Sequence, residues 1–247
     1  MYAASGPPLH PLIRKLESIT TLSDEDRQAI ESLPTRLRVL PPRQEIVRDG
    51  DCPSQCCVVL EGWLCRTKTL ADGKRQIHSF HIPGDVPDLQ SLHLPVMDHT
   101  LSALTQATVA FIPHESLRDL VAARPTITAA LWRETLVDAA IFREWITGLG
   151  RRDAKGRIAH LFCEMYLKLH AVGLAADHRC EFPPTQTEVS DALGLSTVHV
   201  NRTVQELRAE QLISWSGRSL QILDWTGLVK TGEFDPTYLH VEKRAAA

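Results

Sequence analysis

The sequence predicts an α+β protein whose N-terminal half is rich in antiparallel β-structure and whose C-terminal half is helical. Three observations predict this class. Short β-rich runs alternate with turn signals between residues 36 and 113, a long helical pattern follows residue 125, and two closely spaced helical runs near the C-terminus precede a two-stranded pattern. A chain of 247 residues is long enough for one large domain or two ordinary ones.

The composition is that of a soluble globular chain and excludes several classes of protein. Hydrophobic residues make up 43% of the sequence and charged residues 23%, and the longest apolar runs are too short to span a bilayer. The N-terminus has no charged-then-apolar signal segment, so we expect a cytoplasmic protein with no membrane partner. Six cysteines without a signal segment argue against a disulfide framework. With its net charge of −3, the chain lacks the overall positive charge typical of proteins that bind nucleic acid, although local charge matters more than the sum for such binding.

Residues 9 to 33 have the pattern of two short helices. Ser23 is a typical N-cap because three acidic residues follow it directly. The apolar positions at helical spacing are Leu12, Ile13, Leu16, Leu22, Ile30 and Leu33. Pro34 and the Pro41-Pro42 pair end this helical region.

The β-rich region extends from about residue 36 to residue 113. Its runs include CCVVLEG, RQIHSFHIPGD and ATVAFIP, and turn signals separate them. Asp72-Gly73 is a typical hairpin turn between two such runs. This spacing predicts an antiparallel roll or barrel.

A long helix that begins near Thr126 has apolar residues on more than one face. They are Ile127, Leu131, Trp132, Leu136, Val137, Ala140, Ile141, Trp145 and Ile146. The β-region of the same chain can cover one face and a second copy of the helix the other, which predicts a homodimer; the alternative is a helix buried within one chain. Gly148 and Gly150, followed by Arg151 and Arg152, predict a break and an interdomain hinge.

The C-terminal part begins with one more amphipathic helix, with apolar residues from Ile158 to Leu169 at helical spacing. The segment AVGLAADHRCEFP is expected to be a loop. The segment LISWSGRSLQILDW predicts two strands around Ser216-Gly217. The tail from Thr231 onward has little periodicity.

The stretch from Thr185 to Leu207 has the pattern of a helix-turn-helix. Its inward positions are apolar, namely Val189, Leu193, Leu195, Val200 and Val204. Ser190 is small where the helices cross, Gly194 allows the positive φ of the turn, and Ser196 is a suitable N-cap for the second helix. Two ordinary core helices are the alternative, but all these features together favour a helix, at about residues 196–210, that enters the DNA major groove.

The order of β-roll, long helix, hinge and winged helix-turn-helix resembles the Crp/Fnr superfamily of bacterial transcription regulators. The similarity covers roughly residues 10 to 230, and its N-terminal part rests on the segments DGD at 49–51, LEG at 60–62, PGD at 83–85 and FIP at 111–113. The resemblance implies an antiparallel β-roll of the double-stranded β-helix or jelly-roll type. It also implies a regulator that is not an enzyme.

The resemblance divides the chain into four parts. They are N-terminal helices with a cyclic-nucleotide-binding-like sensor roll (1–124), a dimerisation helix with its hinge (125–150), a winged helix-turn-helix domain (151–235) and a tail (236–247). It implies a homodimer that places one recognition helix in each half of a palindromic promoter operator. The half-sites would lie about one helical turn apart, and RNA polymerase would be a further partner.

The resemblance also assigns roles on the recognition helix. Arg202 matches the family's arginine that reads guanine, and Val198 stands where the family often has a glutamate that accepts from cytosine. Valine cannot accept a hydrogen bond but can contact a thymine methyl group, so we expect a different operator. The full set of expected DNA-binding residues is Thr185, Gln186, Thr187, Ser196, Thr197, Val198, His199, Asn201, Arg202, Arg208 and Arg218. For Arg208 and for Arg218 in the wing, a solvated surface charge is an equal alternative.

The sensor roll does not favour a cyclic nucleotide. In family members that bind cyclic AMP, an arginine followed by Ser or Thr neutralises the phosphate, but this chain has His99-Thr100-Leu101 there. Pro87 removes an N–H donor beside Asp88. The candidate effector-pocket residues are Gly84, Asp85, Asp88, His99 and Thr100. The effector stays open, and the pocket either holds another molecule or is filled by side chains.

The sequence identifies no cofactor. The oxygen-sensing branch of the family binds its iron–sulfur cluster through cysteines ahead of the roll, but residues 1–51 contain none. Adjacent Cys56 and Cys57 would face opposite sides of a strand and could not easily share a metal. For these two, and for Cys52 and Cys65, we expect ordinary buried side chains; a redox-active thiol is the alternative. Haem ligation is not favoured either; the histidines considered are His78, His81, His93 and His99.

Two other functions compete with a DNA-binding regulator. A cyclic-nucleotide-responsive or cysteine-dependent redox regulator would belong to the same family. A cupin-like metal enzyme is a different class, but a cupin needs His-x-His on a strand and HSFH has the wrong period.

Overall fold

The computed structural model describes residues 9–241. The chain divides into two compact units, one made of the residues up to 68 with 79–136, and the other of 69–78 with 137 onward. Among the described residues, no helix is both long and apolar enough to cross a membrane.

The N-terminal helices form as predicted. They are α1 (His10–Glu17) and α2 (Asp24–Glu31). Ser23 caps α2, because its Oγ accepts from the Asp26 N–H at 3.1 Å while the Asp26 side chain accepts from the Ser23 N–H. The predicted apolar positions are buried and pack into one cluster with strand residues of the β-region.

The β-region is antiparallel, as predicted. Its strands are β1 (Arg36–Leu40), β2 (Glu45–Val47), β3 (Gln55–Glu61), β4 (Leu64–Thr69), β5 (Arg75–His81), β6 (Thr100–Ala103) and β7 (Ala107–Pro113). They make a three-stranded sheet in the order β1-β7-β3 and a four-stranded sheet in the order β2-β6-β4-β5. Both sheets contribute to one apolar core that includes Val59, Leu64 and Leu101. The Asp72-Gly73 turn joins β4 to β5, with Gly73 at φ +83°.

The long helix continues through its two glycines, and the chain breaks only at the C-terminal end of the stretch 148–152 where the sequence predicts a break. After α3 (His114–Ala123), helix α4 runs from Pro125 to Arg151 and includes both Gly148 and Gly150. A glycine costs a helix about 1 kcal/mol relative to alanine, which a long packed helix tolerates. The break lies at residues 152–153, where the Asp153 side chain accepts from the Gly156 N–H at 2.7 Å and caps α5.

The second unit is built from helices around a small sheet. Its helices are α5 (Ala154–Ala171), α6 (Gln186–Leu193), α7 (Thr197–Ala209) and α8 (Trp225–Thr231). Its strands are β8 (Ala175–Ala176), β9 (Arg179–Glu181), β10 (Ile213–Ser216) and β11 (Ser219–Ile222), in the order β10-β11-β9-β8. The predicted hairpin at Ser216-Gly217 is therefore present, and β9 extends it into a larger sheet.

The segment expected to be a loop, AVGLAADHRCEFP, is instead a short hairpin formed by β8 and β9. Asp177 and His178 make its turn with positive φ values of 48° and 57°, which the sequence does not signal because neither is glycine. Cys180 is buried and pairs with Leu220 across the sheet. Long-range pairing, not local propensity, forms these strands.

The first part of the predicted tail is also ordered. A 3₁₀ helix at Pro236–Leu239 follows the Asp235 cap, and Phe234 and Leu239 are buried. The rest of that tail, residues 242–247, lies outside the described residues.

A buried polar chain links this C-terminal segment to α5 and to the end of α4. The Trp145 indole N–H lies 3.1 Å from both carboxylate oxygens of Glu164, and the Tyr238 hydroxyl lies 2.6 Å from Glu164 Oε2. His160 Nε2 is 2.9 Å from the same hydroxyl, and His160 Nδ1 is 3.1 Å from the Gly232 carbonyl. Glu164 has no exposed surface. Three separate segments of the second unit therefore meet at one buried carboxyl group.

Candidate DNA-binding interface

The helix-turn-helix is defined by local caps, as its sequence predicts. Thr185 and Glu188 form a capping box at the start of α6, in which the Thr185 N–H donates to Glu188 Oε2 at 2.7 Å. Helix α6 ends at Gly194 in the left-handed region with φ +62°. Ser196 caps α7, because its Oγ accepts from the His199 N–H at 3.2 Å. These caps set the length of the turn between the two helices.

The inner surfaces of α6 and α7 hold the pair together. Val189, Leu193, Val200 and Val204 are buried as predicted, and Leu195 in the turn is partly buried. Ser190 lies at the crossing, where its Oγ is 3.4 Å from Thr197 Oγ1. A larger residue at position 190 would push the helices apart.

The outer surface of α7 is open to solvent. Val198 is 81% exposed, and Asn201, Arg202 and Gln205 are exposed on the same face at helical spacing. This face combines an apolar group, two amides and a guanidinium, which are the chemical types that read base edges in a major groove. Gln205 was not among the residues selected from sequence, although its position seven residues after Val198 places it on this face.

The other predicted DNA-binding residues have different settings. The Ser196 side chain serves as a cap, and the Thr185 hydroxyl donates to Glu188 Oε2 at 2.9 Å. Arg218 in the wing turn forms an exposed ion pair with Glu181 at 2.8 Å. Thr187 is exposed at the start of α6, and His199 and Arg208 are partly buried on α7. Roles in DNA contact for these residues remain predictions.

An inter-helix hydrogen bond joins two of the predicted residues. Asn201 Nδ2 on α7 donates to Gln186 Oε1 on α6 at 3.1 Å. Sequence spacing alone could not reveal this contact, because it depends on how the two helices cross.

In the sensor roll, three predicted effector-pocket residues lie in or beside the turn after β5. Gly84 has φ +100°, and a Cβ there would lie 2.6 Å from the Pro11 carbonyl oxygen. Asp85 accepts from the Ile82 N–H at 3.0 Å and pairs with Lys15 at 3.3 Å. Asp88 is fully buried and accepts from the Cys57 N–H at 2.8 Å.

Burial raises the pKa of Asp88 to about 7, although the Cys57 N–H and the nearby Arg66 favour its charged form. Arg66 is itself buried on β4, and its Nε donates to the Pro87 carbonyl at 2.8 Å. Sequence reasoning missed Arg66, whose signal was an arginine directly after the apolar residues that begin a β-rich run.

The remaining two predicted pocket residues lie at the start of β6. His99 Nδ1 is 2.6 Å from Asp98 Oδ1, and His99 Nε2 is 3.4 Å from the Gln90 amide. Thr100 Oγ1 accepts from the Asp49 N–H at 3.3 Å. Each of the five predicted residues thus has a close contact within its own unit.

A separate apolar cavity of about 370 Å³ lies in the same unit beside the 3₁₀ helix Leu89–Leu92. Trp132 and Leu131 of α4 form one wall, and Val121 of α3 contributes another. None of the five predicted effector residues lines this cavity.

All six cysteines are free, and only Cys52 is exposed. Cys56 packs against the N-terminal helices and Cys57 faces the core between the sheets, so they point to opposite faces as predicted. Burial raises the pKa of the Cys56 and Cys57 thiols well above the usual range, which favours their protonated form. Within residues 9–241, no group of three His, Cys, Asp or Glu side chains could hold a metal ion.

Comparisons with known proteins match the two parts of the chain separately. A cyclic nucleotide-binding domain model matches residues 37–124, and a Crp-like helix-turn-helix domain model matches residues 156–231. The two matches together cover about two thirds of the chain.

Similar whole proteins match over most of their length. The transcriptional activator protein FnrA of Stutzerimonas stutzeri is 27% identical over 84% of this chain and 85% of its own length. The transcriptional activator protein Anr of Pseudomonas protegens is 26% identical over 83% of each. The structure of FixK2 from Bradyrhizobium japonicum has a TM-score of 0.73 and 24% identity, and covers 81% of this chain and 98% of that one.

The β-roll, the long helix and the helix-turn-helix define a DNA-binding transcription regulator, a class of proteins that are not enzymes. The chain belongs to the Crp/Fnr family of transcription regulators. The family resemblance expected from the sequence is thereby confirmed.

Proposed function

We propose that this regulator is a cytoplasmic homodimer, paired through α4, that binds a palindromic promoter operator. The observation that carries the proposal is an exposed apolar stripe on α4. Trp132 is 67% exposed, Leu136 57% and Ile146 68%, whereas Ile127, Leu131 and Ile141 on the same helix are buried within their own chain. Large apolar side chains in a row are rarely left in water by a monomer.

The spacing of the stripe supports a helix-to-helix contact. Positions 132, 136, 139, 143 and 146 are separated by alternating steps of four and three residues, which is the repeat of a two-stranded coiled coil. Their occupants are Trp132, Leu136, Ala139, Arg143 and Ile146. A two-fold axis beside this stripe would bring the same residues of both copies together.

The experiment is to place a charge in the stripe. We expect Leu136→Glu to shift the protein from dimer to monomer in analytical ultracentrifugation, because two carboxylates would be buried face to face. Leu70→Glu is the matched control, since Leu70 is 60% exposed on the turn between β4 and β5. A Leu136→Glu protein that stays a dimer of wild-type stability would overturn this pairing surface.

We also infer that the sensor roll does not respond to a cyclic nucleotide. His99-Thr100-Leu101 takes the place of the phosphate-binding arginine, and the five candidate pocket residues already contact groups in their own unit. We expect cyclic AMP and cyclic GMP to leave thermal unfolding and DNA affinity unchanged. A saturable rise in melting temperature with either nucleotide would contradict this inference.

RNA polymerase is the expected further partner, because the relatives FnrA and Anr are named transcriptional activators. Transcription in vitro from a promoter that carries an operator selected from random DNA by this protein would show whether it raises or lowers initiation. No change in transcript level upon operator binding would argue against a direct effect on the polymerase.

A further inference from the structure

The contact between Gln186 and Asn201 has a consequence for how this protein recognises its operator. Asn201 is exposed on the outer face of α7, between Val198 three residues before it and Arg202 directly after it. One of its two amide hydrogens is donated to Gln186 Oε1 on α6 at 3.1 Å. The orientation of the Asn201 amide is therefore set by the neighbouring helix.

The groups that this bond leaves on Asn201 form a donor next to an acceptor. An asparagine amide has two N–H donors and one carbonyl acceptor, so the bond to Gln186 leaves one N–H and Oδ1. In the major groove, adenine presents an acceptor at N7 beside a donor at N6. The remaining pair on Asn201 is complementary to that pattern, while guanine presents two acceptors and would leave Oδ1 without a partner.

We propose that Asn201 reads an adenine in the operator and that Gln186 is the positioning residue that fixes its amide for this contact. The proposal rests on DNA binding through the outer face of α7. Without Gln186, the amide would rotate freely and could present its donor and acceptor in reversed order. Holding it in one orientation also lowers the entropy that is lost when it binds a base.

The side chains beside Asn201 are compatible with an adenine-containing site. Val198, at 81% exposure, offers only an apolar surface, which suits a thymine methyl group. Arg202 is suited to a guanine. The face thus favours a half-site that contains at least one A·T pair together with the guanine read by Arg202.

The experiment begins by selecting operators from random double-stranded DNA with the full-length wild-type protein. Each conserved adenine is then replaced in turn by guanine and by 7-deazaadenine, which lacks the N7 acceptor. We expect one adenine at which each replacement weakens wild-type binding by about 5- to 150-fold. Asn201→Ala should bind all three versions of that site equally.

The role of Gln186 is tested by the ratio of the affinities for the adenine and guanine versions of the site, not by affinity alone. Gln186→Ala should reduce the adenine-to-guanine ratio at the position read by Asn201, and Gln186→Glu should restore much of it because its carboxylate still accepts from Asn201. The control Gln211→Ala removes an exposed amide just after α7, outside the outer face, and should leave this ratio unchanged.

The outcomes distinguish a failure of this proposal from a failure of the proposed DNA binding. If the wild-type protein selects no DNA at all, the DNA-binding assignment fails. If it selects an operator but Asn201→Ala keeps every base preference, the adenine assignment is overturned. If Gln186→Ala keeps the full adenine-to-guanine ratio, Gln186 does not position Asn201.

Discussion

Arg202 is the residue whose contribution to DNA recognition is most directly testable. Its side chain is 68% exposed, and its Nε lies 3.7 Å from Glu206 Oε1, a surface ion pair of little energetic consequence. The guanidinium can therefore leave Glu206 at low cost and donate two hydrogen bonds to guanine O6 and N7.

We expect Arg202→Ala to weaken binding to the selected operator by about 1–3 kcal/mol. Arg202→Lys should keep much of the non-specific affinity, because it retains the charge, but lose the preference for guanine. Quantitative gel shifts at fixed salt with specific and scrambled DNA measure both effects. An unchanged footprint for Arg202→Ala would remove this residue from the reading face.

At the scale of elements, the buried hydrogen-bonded chain around Glu164 determines how many protons its side chains must share. The Gly232 carbonyl can only accept, so His160 Nδ1 must carry a hydrogen. If the ring is neutral, Nε2 must accept from the Tyr238 hydroxyl, and Glu164 must then be protonated to donate to Tyr238. If Glu164 is ionised instead, His160 must be doubly protonated. Either way, the His160–Glu164 pair holds one proton more than a neutral histidine and a carboxylate.

Burial favours the arrangement with a protonated Glu164. It lowers the pKa of His160 to about 4, with help from the positive charge of Arg152, and it raises the pKa of Glu164. The charges that face this pair are Glu144 and Arg152, joined at 2.6 Å, and Lys168 on α5. Lys168 opposes the rise in the Glu164 pKa and Glu144 adds to it.

We expect stability to depend on pH through Glu164. Because its folded pKa is raised, its contribution is full below its ordinary pKa and is lost as the pH rises through the folded value. Glu164→Gln cannot ionise, and its amide can still donate to Tyr238 and accept from Trp145. The variant should therefore lose less stability than the wild type as the pH rises above the ordinary pKa of glutamate, measured by urea unfolding across pH.

Glu206→Gln is the control, since Glu206 is an exposed glutamate on α7 of the same unit. Its pH profile should follow that of the wild type. His160 has the opposite sign, since its lowered pKa gives stability that is present above its ordinary value and lost as the pH falls toward about 4. Parallel profiles for wild type and Glu164→Gln would show that Glu164 does not govern this dependence.

For the whole molecule, the proposed dimer makes the spacing of half-sites a strict requirement. Two recognition helices related by a two-fold axis meet the same face of DNA only when the half-site centres lie about one helical turn apart. Inserting about five base pairs between half-sites turns one of them to the opposite face of the duplex.

We expect this insertion to reduce affinity to that of a single half-site, as measured by gel shift. A two-base-pair substitution that preserves the spacing, placed in the same central segment, is the control. Equal affinity for the original and the lengthened operator would contradict a rigid dimer that reads both half-sites at once.

The helix-turn-helix could be predicted from sequence because its determinants are local. Ser196 and Thr185 cap helices within three residues of themselves, and Gly194 meets a backbone requirement at its own position. The outer face of α7 follows from the same local spacing. The strands of the β-region were also predictable, because β-rich runs and turn residues alternate along the chain.

Other features depended on partners distant in sequence. Gly148 and Gly150 favour a break locally, but α4 continues through both and ends at Arg151. Strand β9 forms because β11 supplies its neighbour across the sheet, and β8 pairs with β9 in turn. Tyr238 lies 74 residues from Glu164 along the chain, so no local pattern could connect them.

The sequence by itself determined the class of this protein, the helix that faces DNA and the chemistry of that helix's exposed side chains. These depend on caps, periodicity and residue type, which act over a few positions. Only the tertiary structure decided that Gln186 holds Asn201, that Asp88 is buried beneath β3, and that the C-terminal segment bonds to α5. Such contacts are set by how helices cross and sheets close, since the groups that meet there are far apart in the chain.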